Sequence, residues 1–193
     1  EARQEKIILP QLEWAQGFIT QYSRERKLIL AEYLPNHWGY YNRALSLEAL
    51  GKVEEAIADY GRTVTVDPSY VNAYFYRALL LEKVGKLNVA VDDWSSVLLI
   101  RPAMANAWYN RGFNYYRQGK PLLAISDLTR ALMLKPTDPE SYYLRGDSWR
   151  TLEDYHGAIL DYDQAIKSNP KLHGCGGAFT FNGVNAPTPR KHG

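Results

Sequence analysis

Cysteine is almost missing: Cys175 is the only one, so the chain has no internal disulfide framework and no cysteine metal site. Histidine is sparse as well. His37, His156, His173 and His192 show no metal-ligand spacing with acids or with Cys175, which removes the usual zinc arrangements. No uninterrupted apolar run reaches the roughly 18 residues that a membrane span needs. The formal net charge is only +2, so no strong field points to nucleic acid. No Asn-x-Ser/Thr sequon occurs; with one free thiol, this fits a reducing, intracellular and cytoplasmic setting. The chain opens on Glu1 and not on Met. That reads as a fragment or a processed form, from which a targeting signal could have been lost.

What is present is a soluble globular composition, 46% hydrophobic and 23% charged. The charge is unevenly placed. From Lys171 onward stand Lys171, Arg190 and Lys191 and no acid, which makes a basic tail on a nearly neutral body. No catalytic constellation is visible. The glycine-rich stretch GCGG (174–177) follows no strand and opens no helix, so it is no phosphate loop. The acids Glu54, Glu55, Asp161 and Asp163 read as solvated or paired helix charges. The sequence therefore predicts no enzyme and no cofactor.

The informative feature is a fixed period. Pro68, Pro102, Pro136 and Pro170 are each 34 residues apart, which divides the chain into 37–70, 71–104, 105–138 and 139–172. A large aromatic is fourth in each unit: Tyr40, Tyr74, Trp108, Tyr142. A tiny residue is eighth: Ala44, Ala78, Gly112, Gly146. Alanine is twentieth: Ala56, Ala90, Ala124, Ala158. A bulky apolar residue is twenty-fourth: Tyr60, Trp94, Leu128, Tyr162.

This pattern resembles the tetratricopeptide repeat (TPR) family over residues 37–172. The resemblance implies an all-α fold, a right-handed superhelical solenoid of four helix-turn-helix units with a concave peptide-binding groove. The residues agree physically. Tyr74, Ala78 and Leu81 fall on one face of a first helix. Gly51, Gly85 and Gly119 stand where that helix must stop and turn; the fourth unit has Glu153 there. Proline closes each second helix, and Pro121 falls at a helix start, where proline is tolerated.

Two departures from the family pattern occur together. The seventh position, more often leucine, holds Arg43, Arg77, Arg111 and Arg145. Sixteen residues later, at a position commonly apolar, stand Asp59, Asp93, Asp127 and Asp161. A buried arginine needs a carboxylate, and its planar fork suits one. The pairing predicts a ladder of ion pairs between helices that fixes register, rather than a row of ligand-binding arginines.

The ends differ from the middle. Residues 1–36 lie outside the period, and Leu12, Ala15, Phe18, Ile19, Tyr22, Ile29, Leu30 and Tyr33 recur at helical spacing. They predict a capping helix from about Gln11 to Tyr33, ended by Pro35. The tail, 173–193, is rich in Gly and Pro and reads as irregular, although AFTF (178–181) could pair as a strand or plug a pocket. The fourth unit's outer face, with Tyr155 and Ile159, lacks a local cover. The tail, a partner, a second copy or further chain could take that place.

The resemblance also implies where a ligand would lie, since second, fifth, sixth and ninth positions of the first helices face the groove in this family. Of the sixteen residues at those positions, Trp38, Tyr41, Asn42, Phe75, Tyr76, Asn106, Tyr109, Asn110, Phe113 and Tyr143 are the candidate groove residues; the others are Leu45, Asn72, Leu79, Glu140, Leu144 and Asp147. The candidates describe an aromatic trough, with Asn42 and Asn110 as polar anchors. The family's cationic clamp for chaperone C-termini is missing: the equivalent positions hold Tyr41, Leu45, Tyr76, Asn106 and Asn110, or Phe75, Leu79, Asn110, Glu140 and Leu144. The expected function is a non-catalytic protein–protein interaction module, a scaffold or adaptor that holds an apolar or aromatic peptide or helix segment of another protein, with no nucleic acid and no membrane insertion. Two alternatives stand beside it. One is a structural subunit of a large assembly held through the uncapped end and tail, by self-association or tail docking. The other is the adaptor domain of a longer enzyme.

Overall fold

The computed structural model describes residues 37–169 and the short segments 180–181 and 184–185. The helix read over 11–33 and most of the tail lie outside the described residues. Eight helices are described: α1 His37–Ala49, α2 Val53–Val66, α3 Val71–Lys83, α4 Leu87–Ile100, α5 Ala105–Arg117, α6 Pro121–Leu134, α7 Pro139–Thr151 and α8 Tyr155–Ser168. First helices of 13 residues alternate with second helices of 14. In the tail, Thr180–Phe181 (β1) pairs antiparallel with Val184–Asn185 (β2), so AFTF does enter a strand pair through its last two residues. None of the described helices is long and apolar enough to cross a membrane.

The chain falls into two compact units, Glu1–Leu80 and Leu81–Gly193, with the boundary inside α3. In the first unit, the eighth-position Ala44 and the twentieth-position Ala56 share a buried cluster with Tyr41, Leu47, Tyr60, Val64, Ala73 and Leu80. Small residues at these two places let helices approach, and the rings fill what remains. Tyr41 lies 5.0 Å from Tyr70 and 5.9 Å from Tyr60 between ring centroids. Tyr60 stacks on Tyr76 at 6.1 Å.

In the second unit α5 packs on α6, α6 on α7 and α7 on α8. Here the eighth position is glycine for a steric reason. A β-carbon on Gly146 would stand 2.8 Å from Cε1 of Tyr162, and one on Gly112 would stand 3.1 Å from Cγ of Leu128.

Each first helix ends in the same way. Gly51, Gly85 and Gly119 take φ values of 76°, 78° and 69°. The next N–H closes back over the last turn, as in Lys52 N–H to Leu47 C=O at 2.9 Å. The fourth unit keeps this turn without glycine: Glu153 sits at φ 62°, and Asp154 N–H still reaches Trp149 C=O at 3.0 Å. The loss of glycine thus leaves the turn in place but strains it, because a β-carbon is unfavourable in the left-handed region. Glu153→Gly is expected to stabilise the chain by about 0.5–1 kcal/mol, the relief of strain exceeding the entropy that glycine adds to the unfolded state. A rise in the urea midpoint measures it; Gly119→Glu should move the midpoint the other way.

Candidate functional site

The arginines point inward. In the first unit, Arg43 Nε donates to Asp59 Oδ2 at 2.5 Å and Nη2 to Oδ1 at 2.9 Å; Arg62 also bonds Asp59. In the second unit, Arg111 reaches Asp127 at 2.7 and 2.9 Å. Arg145 reaches Asp161 at 2.7 Å through both nitrogens. All three aspartates are buried. A third contact comes from the twenty-fifth position of the preceding repeat. Arg111 Nη1 donates to Ser95 Oγ, and Arg145 Nη1 to Thr129 Oγ1, each at 3.0 Å. The first repeat carries Gly61 at that position, where a β-carbon would stand 3.2 Å from Arg77 Nη1. Each guanidinium also lies over the fourth-position ring: Arg43 over Tyr40, Arg77 over Tyr74, Arg111 over Trp108 and Arg145 over Tyr142, at 4.9–5.7 Å. The hydrogen bonds to Asp127 raise the pKa of Arg111 against the effect of burial. Arg77 and Asp93 fall on opposite sides of the unit boundary; Asp93 is buried.

The positions read as a groove divide into two kinds. In the first unit, Trp38 and Asn42 are exposed, and Asn42 Nδ2 donates to Trp38 C=O at 2.9 Å. Phe75 and Tyr76 are half-buried, whereas Tyr41 is only 8% exposed. In the second unit, Asn106 is exposed and Tyr109, Phe113 and Tyr143 are half-buried. Tyr109 and Phe113 stack at 6.5 Å, and Tyr143 leans on Tyr162 at 5.7 Å. Asn110, read as a polar anchor, is 5% exposed. It and Tyr41 offer almost no surface from which a ligand could be read.

A cavity of about 120 Å³ opens in the second unit between the start of α5, the end of α6 and the start of α7. Ala105, Asn106, Tyr109, Ala131, Lys135, Asp138, Glu140 and Ser141 line it. Lys135 Nζ bonds Asp138 Oδ1 at 2.6 Å. Asp138 also caps α7, accepting from the Ser141 N–H at 3.1 Å and from Ser141 Oγ at 2.7 Å. Partial burial works against ionised Asp138, but these hydrogen bonds outweigh it and hold its pKa down. Glu140 has no such partner. Burial, then repulsion from Asp138, push its pKa up despite Lys135. The Tyr109 phenol is raised well above its usual value, by burial first and then by Glu140 and Asp138.

Sequence reasoning missed one polar cluster. Glu82, on the apolar run of α3, is 6% exposed. Its Oε1 accepts from Trp94 Nε1 and from Asn114 Nδ2, both at 2.6 Å. A signal was available: an acid at position twelve faces a donor at position twenty-four in the first repeat as well, where Tyr60 Oη donates to Glu48 at 3.1 Å. Among the described residues no group of three or more His, Cys, Asp or Glu side chains could hold a metal ion.

Comparison with known proteins agrees with this architecture. A family model described as TPR repeat matches residues 46–85, and models described as tetratricopeptide repeat match 105–138 and 139–172. No curated protein matches the chain. Among solved structures, the chain is similar to a crystal structure of MamA, with a TM-score of 0.71 and 18% identity over 76% of this chain and 86% of that one. It is similar to MamA 41-end from Desulfovibrio magneticus RS-1, with a TM-score of 0.71 and 17% identity over 83% and 94%. A third neighbour, MamA AMB-1, has a TM-score of 0.72 and 16% identity over 86% and 95%. At such identities the likeness is one of fold.

Proposed function

Because the chain belongs to the tetratricopeptide repeat family, we propose that it is a non-catalytic protein–protein interaction module, a scaffold or adaptor that takes an apolar or aromatic segment of another protein against its first-helix faces. The observation that carries this reading is the division of labour between charges and rings. Arg43, Arg111 and Arg145 are neutralised by aspartates inside the fold, so recognition falls to what remains at the surface. In the second unit that is the Asn106 amide beside the half-buried rings of Tyr109, Phe113 and Tyr143. In the first unit it is Trp38, Asn42 and the partly covered Phe75. Rings give contact area at low entropic cost, and an amide can bond a peptide backbone.

A second reading is favoured by the last repeat. Ile125 and Leu132 on α6 are 8% and 6% exposed, whereas their equivalents on α8, Ile159 and Ile166, are 58% and 43% exposed. Tyr155 on the same helix is exposed too. A repeat face that is covered in one unit and open in the next suits attachment to a larger assembly.

One experiment separates the two. Proteins captured from a lysate of the source cells are compared for the wild-type chain, Asn106→Arg and Ile159→Asp, all at exposed positions, with folding checked by circular dichroism. The groove reading expects a partner that Asn106→Arg loses and Ile159→Asp keeps. The reverse pattern overturns it in favour of the assembly reading.

A further inference from the structure

We infer that the cavity between α5, α6 and α7 takes the cationic end of a lysine or arginine side chain from the bound partner segment; this rests on the groove reading above and names one feature of its ligand. The cavity holds two carboxylates, Asp138 and Glu140, but one cation, Lys135. Lys135 is committed to Asp138. Glu140 is half-buried and makes no side-chain hydrogen bond or ion pair among the described residues. A carboxylate so placed is costly until a cation reaches it.

Size and lining fit one side chain. About 120 Å³ is well below the roughly 300–1,000 Å³ of sites that take drug-sized ligands. The Tyr109 ring supplies an aromatic wall for a cation, and the Asn106 amide and Ser141 hydroxyl supply further polar contacts. An anion is disfavoured although α7 begins here. The first residue of the helix is Pro139, which has no N–H, and the Ser141 N–H is already taken by Asp138. Of the first three residues only Glu140 keeps an N–H to offer, and it stands between the Asp138 and Glu140 carboxylates, which repel a phosphate or a carboxylate.

The test uses the whole chain and two synthetic probes, Ac-Ala-Arg-Ala-NH2 and its citrulline counterpart, which has a similar shape without the charge. Backbone amide shifts are followed by NMR. The arginine probe is expected to give saturable shifts at 105–109, 138, 140 and 141, with the citrulline probe at least about tenfold weaker and the binding weakened by added salt. Glu140→Gln should cost about tenfold in affinity for the arginine probe and little for the citrulline probe. Equal binding of the two probes, no saturable shift at these residues, or full affinity in Glu140→Gln overturns the proposal. Arg190→Gln with Lys191→Gln tests the chain's own basic tail as occupant: if this variant shifts the Glu140 amide and tightens probe binding, the tail and not a partner fills the cavity, and the proposal fails. A lysate partner lost by Asn106→Arg but kept by Glu140→Gln leaves the groove reading standing and sinks this one alone.

Discussion

Arg111→Leu is expected to destabilise the protein by about 3–5 kcal/mol, the loss typical of a buried ion pair broken on one side. The cost arises at the partner. Asp127 is buried on α6, and it loses both of the hydrogen bonds that Arg111 gives it. It must then stay charged without a cation or take up a proton. Ser95 Oγ loses its donor as well. Arg111→Lys should recover only part of the loss, because an ammonium cannot serve both carboxylate oxygens and Ser95 as the planar fork does. Arg111→Leu combined with Asp127→Leu should restore most of the stability, since a well-packed apolar pair often equals or exceeds a buried ionic one. The measurement is a double-mutant cycle on urea midpoints read by circular dichroism. Additive single effects, with no coupling of about 1 kcal/mol or more, would show that the pair is a bystander.

The contrast with surface pairs decides which charges matter. Lys52–Glu55 at 3.4 Å has both side chains more than half exposed. Such a pair holds two flexible side chains in high dielectric and contributes little. The arginine–aspartate pairs hold the same charges between helices, where water cannot replace a lost partner. Their worth lies less in net stability than in geometry. Arg111 binds Asp127 on α6 and Ser95 on α4 at once, and Arg145 does the same with Asp161 on α8 and Thr129 on α6. A helix that slipped along its neighbours would break all of these contacts together.

The period made the helices legible, because repetition lets four weak local signals be read as one. The seventh and twenty-third positions were legible for the same reason: opposite charges recurred sixteen residues apart on faces expected to be apolar. The third arginine contact was not legible. Ser95 and Thr129 are ordinary helix residues, and only the packing of one repeat on the next brings them to a guanidinium. Tyr41 and Asn110 show the limit more sharply. They occupy the fifth and sixth positions, at the edge of the face that the family turns toward ligands. Whether such a residue meets solvent depends on how the neighbouring helix is rotated: Tyr41 is closed over by Tyr60, Tyr70 and Tyr76. At Glu153 the sequence showed a missing glycine, but not that the hydrogen bonds of the turn are strong enough to hold the strained residue in place.

Glu82→Leu is expected to cost about 2–4 kcal/mol, because it removes the acceptor of the buried Trp94 Nε1 and of one N–H of Asn114 Nδ2, whose other bond, to Asn110 C=O, remains. Glu82→Gln should behave in the opposite way near neutral pH. Burial raises the pKa of Glu82, and the hydrogen bonds from Asn114 and Trp94 and the charge of Arg117 only partly oppose it. A carboxyl with a higher pKa in the folded chain than in the unfolded one binds its proton more tightly when folded. Its stabilising contribution is full in acid, below the ordinary glutamate value of about 4.3, and is lost as pH rises through the raised value. Glutamine has no proton to lose. It keeps a carbonyl for Trp94 and Asn114, and it adds an N–H that can serve the buried Asn114 Oδ1, an acceptor with no partner among the described residues. The urea midpoints of wild type and Glu82→Gln should therefore lie close together at about pH 4 and separate in favour of the glutamine variant by pH 7. Glu82→Leu should fall below wild type at both pH values, since its loss comes from unmade hydrogen bonds and not from charge. A gap between wild type and Glu82→Gln that stays constant from pH 4 to pH 7 would mean that Glu82 titrates like an exposed carboxylate, and that the cluster around it is open to water.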